Sequence, residues 1–288
     1  MQKVKSPFTV LRITAGFFRS ENKQIFYPFI ITVFINLLLL EILYFYPRYP
    51  LALFFSPIIS RIWGDEYLHY PMNLILLPKL FYYSQIVIFL FVSNILSAMT
   101  VDMVADINND KTVNFRASLR RSLPGYIYIV LYSTLSLLLF KAFDSAYALV
   151  IRRTLEIHST TGIFFWIKKS VFYAAPYAQF PYSILILALI LYVPVLIILE
   201  KKKFLGALIG NFKTLFGSFW VTLTLVLIPT LFYLPLLLMQ SNIRSLIEVT
   251  APEIQILIIV LGIFVITGIN IFVMAAATTY YLYKKESS

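Results

Sequence analysis

The chain has no cysteine, only nine glycines and two histidines, and 13% charged residues over its 288 positions. Without cysteine it has no disulfide, no thiolate metal site and no thiol nucleophile. His69 and His158 stand in no metal-ligand spacing, and the glycines leave little material for a phosphate-binding loop. No nucleophile elbow or paired-carboxylate pattern occurs either. The sequence therefore predicts a protein that is not an enzyme and has no cofactor.

Apolar residues dominate instead, because 60% of the chain is hydrophobic and its mean hydropathy is +0.84. A hydrocarbon layer about 30 Å thick is crossed by roughly 20 apolar residues in a helix. Six segments reach or approach that length: 25–46, 80–101, 124–141, 182–199, 215–239 and 254–281. No hydrophilic stretch is long enough for a separate soluble core. We predict an all-α integral membrane protein with a single transmembrane domain over residues 1–288.

The basic residues predict the orientation of the spans. Fifteen of the 24 Lys and Arg flank one set of span ends, and an excess of these residues marks the cytoplasmic side. Both termini are then cytoplasmic, and the spans form three hairpins. The net charge of +11 is spread beside apolar segments, so it favours contact with anionic lipid headgroups over nucleic acid. The expected location is the cytoplasmic membrane of a prokaryote.

A short segment with helical periodicity precedes each span that leaves the cytoplasm. These segments are residues 7–20, 112–122 and 203–214, and each combines an apolar face with basic residues. Such helices lie flat at the membrane surface, held by apolar burial and by attraction to anionic lipid. The predicted headgroup or docking contacts on this side are Arg116, Arg120, Arg121, Glu200, Lys201, Lys202, Lys203 and Gly206.

Polar residues inside the spans are candidates for a functional site. Glu41 is the only acid well within a predicted span, where an unpaired charge costs about 2.5–3.5 kcal/mol. It either has a function or pairs with Arg48 or an external lysine. Asn36, Asn94 and Asn270 complete the candidate intramembrane site, although hydrogen bonds between helices also explain such residues.

Asp102 and Asp106 lie four residues apart at the predicted cytoplasmic end of the second span. Carboxylates are unfavourable at the C-terminal end of a helix unless cations are near. We expect Arg116, Arg120 or Arg121 to pair with them.

The segment from Glu200 to Trp220 carries an Ala-Leu…Phe-Trp pattern between two spans. It resembles a broad group of uncharacterised six-span prokaryotic membrane proteins related to the membrane domain of glycerophosphoryl diester phosphodiesterases. The resemblance extends to the helix that begins at Phe8 and to the Phe115-x-x-Ser-Leu segment. It implies a six-span fold and a role in organising or serving another membrane component, since the soluble catalytic domain of those phosphodiesterases is not in this sequence.

A second resemblance is to importer permeases of the ATP-binding-cassette class. Glu200 and Gly206 have the spacing of the cytoplasmic loop with which those permeases bind their ATPase, with Lys201 and Lys202 in place of two alanines.

Two functions follow from these observations. The sequence favours a non-enzymatic accessory or scaffold subunit that binds membrane lipids and other membrane protein subunits. The alternative is a transport protein, either a permease or a lipid-handling bundle. Transport predicts a hydrated cavity between the spans that contains Glu41, Asn94 or Asn270.

Overall fold

A computed structural model describes residues 6–19, 23–156 and 162–286, and every regular element within them is a helix. In chain order the α-helices are α1 (Pro7–Arg19), α2 (Tyr27–Tyr44), α3 (Ala52–Ile62), α4 (Met72–Ile88), α5 (Asn94–Asn108), α6 (Phe115–Ser122), α7 (Tyr126–Leu155), α8 (Gly162–Ala174), α9 (Gln179–Ile190), α10 (Val193–Leu199), α11 (Phe204–Phe216), α12 (Phe219–Thr230), α13 (Leu234–Ser241), α14 (Ile243–Val249) and α15 (Ile254–Glu286). A π-helical turn at Phe89–Ser93 joins α4 to α5. His158 lies outside the described residues.

Six helical stretches are long and apolar enough to cross a membrane, which confirms the predicted number. They are Lys23–Tyr44, Met72–Asn108, Phe115–Leu155, Gln179–Leu199, Phe219–Ser241 and Ile254–Glu286. Each contains or overlaps one of the six apolar segments of the sequence. The chain is therefore a multi-pass helical membrane protein.

The second and third spans are longer than their apolar segments. The second begins at Met72 and continues to Asn108, whereas the sequence predicted 80–101. Its last turns continue as helix because Asp102 and Asp106 are neutralised by Arg121. The third continues to Leu155 rather than ending near 141, because the helix runs on through Lys141 and Asp144 into a further stretch of mostly apolar residues. Isolated charged residues therefore do not mark the end of a helix.

The fourth span is broken between α9 and α10, next to Pro194. The amide of Asn211 on α11 fills the break: it donates to the carbonyl of Leu189 at 2.7 Å and accepts from the backbone N–H of Tyr192 at 2.9 Å. Helix breaks at membrane depth are tolerated only where other groups satisfy the released backbone.

The fifth span has the break that its prolines predict. α12 ends at Thr230, just after Pro229, and a 3₁₀ turn at Leu231–Tyr233 leads into α13. Proline lacks the N–H that would continue the hydrogen-bond ladder.

The largest hydrophobic core surrounds the fourth span. Residues from Tyr192 to Ile198 are all buried, and they pack among residues of α5, α7, α12 and α15. A smaller core between α2, α4 and α15 includes Leu43, Leu77 and Ile263.

The three predicted interfacial segments are helices in the structure, namely α1, α6 and α11. Their buried faces are not purely apolar. In α1 the buried residues are Val10, Leu11 and Thr14, while Phe8 is 67% exposed. The face toward the bundle is chosen by contact with α12 and α15. These helices carry apolar residues on more than one side, so periodicity alone did not identify the packed side.

Candidate functional site

A cavity of about 250 Å³ lies between the first, second, third and sixth spans. Its walls come from α2, α4, the π-helical turn, α5, α7 and α15, together with Gln179 at the start of α9. Asn36 and Asn270, two of the four predicted intramembrane candidates, both line it. The structure therefore brings together two residues that are far apart in the sequence.

Two amide side chains in the cavity wall, those of Asn36 and Gln85, are hydrogen-bonded to each other. Asn36 is 2% exposed, donates to the carbonyl of Thr32 at 2.8 Å and accepts from Nε2 of Gln85 at 3.2 Å. This hydrogen bond joins the first span to the second and fixes the Gln85 side chain in the cavity wall. It is the interhelical bond expected for amides in a membrane.

Several other polar side chains in the wall have no hydrogen-bond partner among the residues that the structure describes. Ser93, Ser97, Thr267 and Asn270 belong to the spans between which the cavity lies, and Tyr82 and Gln179 share the same lining. Thr267 is only 7% exposed. Elsewhere in the spans hydroxyls are bonded to the carbonyl four residues earlier, as at Ser133, Ser136, Thr222, Thr230, Thr278 and Thr279. Unpaired polar groups at membrane depth are costly unless water or a ligand satisfies them.

A carboxylate lies in the cavity wall where the cavity meets the start of α9. Asp144 of α7 accepts a hydrogen bond from the hydroxyl of Tyr182, and the ring of Tyr182 stacks on Phe143 at 5.7 Å. No basic side chain within the described ranges forms an ion pair with Asp144. The cavity therefore combines uncharged donors and acceptors with one negative charge.

Asn94 and Glu41, the other two predicted candidates, are not part of the cavity. The carbonyl of Phe89, at the start of the π-helical turn, accepts from the backbone N–H of Asn94 and also from its side-chain amide at 2.9 Å. Glu41 is exposed, and in the described part of the chain it forms no ion pair. The expected pairing with Arg48 is absent, since the guanidinium of Arg48 lies 5.2 Å from the centre of the Phe45 ring.

A second polar cluster joins α5 to α6 at the other end of the bundle. Arg121 binds Asp102 with its Nη2 2.6 Å from Oδ2 and also pairs with Asp106. Both aspartates are buried, with side chains 12% and 10% exposed. Of the three arginines expected as partners, Arg121 is the one that pairs with them.

Glu200 lies in the loop between α10 and α11, and three other side chains contact its carboxylate. It forms ion pairs with Lys202 at 2.6 Å and Lys285 at 3.1 Å and accepts a hydrogen bond from Tyr281. The hydrogen bond from Lys202, followed by that from Tyr281, lowers the pKa of Glu200 to about 2. Lys201 donates to the carbonyl of Arg121 at 3.0 Å, so this loop is tied to α6.

The remaining predicted contacts at this end are open. Arg116, Arg120 and Lys203 are exposed and form no ion pair with any described residue. Gly206 has no atom within 4 Å of the position that a Cβ would take. Of the eight predicted contacts, Arg121, Glu200, Lys201 and Lys202 hold the protein together, whereas these four leave room for another molecule.

Sequence reasoning missed most of the cavity wall. Ser93 and Ser97 are four residues apart, and Thr267 and Asn270 are three apart, so each pair shares one helix face. That spacing was a signal in the sequence. Asp144 was missed because it lies beyond the predicted end of the third span.

No protein-family model, curated protein or solved structure matches this chain. The two resemblances noted from the sequence remain predictions.

Proposed function

We propose that this protein is a membrane transport or lipid-handling protein that binds the polar part of its substrate in the cavity between the spans. The observation that carries the proposal is the set of unpaired groups on Ser93, Ser97, Thr267 and Asn270. In a bundle whose other hydroxyls are largely satisfied internally, these groups are available to a ligand. The sequence favoured an accessory subunit, but that function does not account for polar groups without partners inside the bundle.

The chemistry of the wall limits the ligand. Hydroxyl and amide groups donate and accept hydrogen bonds, and Asp144 adds a negative charge without a cation of its own. The best match is a small uncharged or cationic group, such as an amine or the ammonium of a lipid head. A volume near 250 Å³ lies just below the roughly 300–1,000 Å³ of typical ligand pockets, so the bound group is small.

The wall also contains an irregular helical turn. Phe89 and Ser93 are the ends of the π-helical turn, and both line the cavity. Such turns occur often at functional sites, where they change the direction of a helix. A wall that is not a regular helix is suited to small rearrangements when a substrate enters.

The orientation forms part of the same proposal. Arg121, Lys201, Lys202 and Lys285 lie at one end of the bundle, and the positive-inside rule assigns that end to the cytoplasm. The spans are then three hairpins with both termini inside, and the Asp144 side of the cavity faces outward. Arg116, Arg120 and Lys203 are placed to bind anionic headgroups.

Cysteine labelling tests the cavity directly, because the chain has no cysteine of its own. We expect Ser97→Cys, in native membranes, to react with a small cationic, water-soluble methanethiosulfonate reagent that does not cross the bilayer. Ser136→Cys is the matched control, since Ser136 is buried and bonded to the carbonyl of Tyr132 at 2.9 Å. Equal protection of the two cysteines would contradict a hydrated cavity.

The negative charge of the cavity is tested by comparing the reaction rates of the introduced cysteine with cationic and anionic reagents. The Ser97→Cys protein should react several-fold faster with a cationic than with an anionic reagent of the same size, because of Asp144. Adding Asp144→Asn should remove that preference. Uptake of radiolabelled methylammonium and ethanolamine into proteoliposomes, compared with the Asn270→Leu variant, then tests whether the cavity serves transport.

A specific observation also favours the accessory-subunit function. None of the described side chains of α8 is buried. Ile163, Trp166 and Tyr173 are each more than 60% exposed. Such a helix covers its apolar surface with the membrane interface or with another protein. Purification from native membranes in mild detergent, followed by mass spectrometry, tests this function. A stoichiometric membrane partner that is lost on replacing Ile163 and Trp166 with serine would support it, and recovery of the chain alone would count against it.

A further inference from the structure

A pocket separate from the cavity lies between α4, α13, α14 and α15. Its volume is about 550 Å³, and its walls are mostly isoleucines and proline. Lys79 of α4, Glu248 of α14 and Gln255 of α15 add polar groups. α4 and α15 both begin at this end of the bundle, which is opposite to the end that holds Arg121.

Lys79 brings a positive charge without a carboxylate partner. Its ammonium lies 5.7 Å from the centre of the Trp63 ring, and no described residue forms an ion pair with it. A contact with an aromatic ring does not neutralise the charge. The ammonium is therefore available to an anion in the pocket.

Gln255 is the second observation that indicates a ligand. It is 5% exposed and lines the pocket, yet its side-chain amide has no hydrogen-bond partner in the described ranges. Most buried polar side chains in proteins have such a partner. The Gln255 amide offers two donors to the pocket that Lys79 also lines.

The rest of the pocket specifies what the anion is attached to. Ile75, Ile243 and Ile258 give it apolar walls, as expected for a ligand that carries hydrocarbon. Glu248 adds a carboxylate, which makes other contacts of its own, and a carboxylate has about four acceptor sites, so one contact does not exclude an ammonium. One cation, one anion and apolar walls match a zwitterionic amphiphile.

The depth of the pocket agrees with a lipid. Lys79 lies about two helical turns, or roughly 10 Å, after the start of α4. Its neighbour Trp63 belongs to a residue type that is enriched at the membrane surface. The polar groups are then at headgroup depth, and Ile258 and Ile259, about one turn beyond Gln255 on α15, continue toward the hydrocarbon.

We propose that this pocket binds one zwitterionic phospholipid. Its phosphate contacts Lys79 and Gln255, its ammonium faces Glu248, and its acyl chains leave along the isoleucine walls into the bilayer. The site is independent of the cavity that carries the proposed function, since the two share no lining residue.

The experiment uses the full chain, delipidated in detergent and titrated with three amphiphiles that have identical acyl chains, with binding followed by native mass spectrometry. The probes are phosphatidylethanolamine, phosphatidylglycerol, which lacks the ammonium, and diacylglycerol, which lacks the phosphate. We expect one phosphatidylethanolamine per chain, bound about tenfold more tightly than diacylglycerol and several-fold more tightly than phosphatidylglycerol. Equal binding of diacylglycerol, or tighter binding of phosphatidylglycerol, would overturn the proposal.

Variants locate the site. Lys79→Gln should remove most of the preference for phosphatidylethanolamine over diacylglycerol. Lys169→Gln is the matched control, because Lys169 is an exposed lysine whose ammonium lies 5.2 Å from the Trp166 ring, outside the pocket. An equal loss in both variants would refute the assignment. Gln255→Leu, which keeps the volume similar, should weaken phosphate recognition with an unchanged melting temperature, so that loss of binding is separated from loss of folding.

Discussion

The bundle treats its polar groups in two opposite ways. Around α10, the amide of Asn211 and the hydroxyls of Tyr192 and Thr222 are all bonded within the protein, with 2.8 Å between the two hydroxyl oxygens. Around the cavity, Thr267 and Asn270 have no partner among the described residues. Polarity inside a membrane protein is thus no sign of function by itself. The informative property is whether the fold already satisfies the polar group.

The largest effect is expected at Asn211. Asn211→Leu removes two hydrogen bonds and leaves the carbonyl of Leu189 and the N–H of Tyr192 unsatisfied in the core, at a cost of about 2–4 kcal/mol. The measurement is the free energy of unfolding in mixed micelles. Asn270→Leu is the matched control, and equal destabilisation by both changes would erase the distinction between the two regions.

The next effect is expected at Arg121. Arg121→Gln leaves Asp102 and Asp106 buried and close together without a cation, and we expect a loss of about 2–3 kcal/mol, moderated because the Arg121 side chain is 43% exposed. Adding Asp102→Asn and Asp106→Asn should restore part of the stability. If the triple variant is no more stable than Arg121→Gln alone, the ion pairs are not the cause. The measurement is the midpoint of urea unfolding for the original protein, the single variant and the triple variant.

Glu200 gives a smaller effect that depends on pH. Its pKa is lowered from 4.5 to about 2 in the folded state, so its contribution is complete above about pH 4.5 and is lost as the pH falls toward 2. The Glu200 side chain is 18% exposed, but its partners Lys202 and Lys285 are 41% and 62% exposed, so solvent screening keeps the contribution modest. Comparing the melting temperature with that of Glu200→Gln should show a difference at pH 7 that disappears near pH 2. A constant difference across this range would contradict the assignment.

The smallest effect on stability is expected in the cavity wall. Asn270→Leu and Thr267→Val remove groups that have no partner in the described ranges, so unfolding free energies should change by less than about 0.5 kcal/mol or increase. Thermal unfolding of the purified protein measures this. A large loss would mean that these groups have a structural role, and the cavity would then resemble the packed region.

The sequence predicted the spans well because a membrane imposes a length and a composition on each helix. It also identified Asn36, Asn270 and Arg121 as residues with polar partners or polar surroundings. It did not predict the contacts of Asn211, Gln85 or Asp144. Each of these depends on which helix lies opposite, and hydropathy along one segment carries no information about that.

Composition and hydropathy alone therefore determined that this chain is a helical membrane protein with six spans, since burying so many apolar residues in water is not possible for a chain of this length. The tertiary structure decided which polar residues are satisfied and which face a cavity. It brought Asn36 of α2, Gln85 of α4 and Asn270 of α15 to one place and left Glu41 and Asn94 outside it. The physical reason is that a hydrogen bond between spans depends on the arrangement of helices in space, which the order of residues along any single span does not specify.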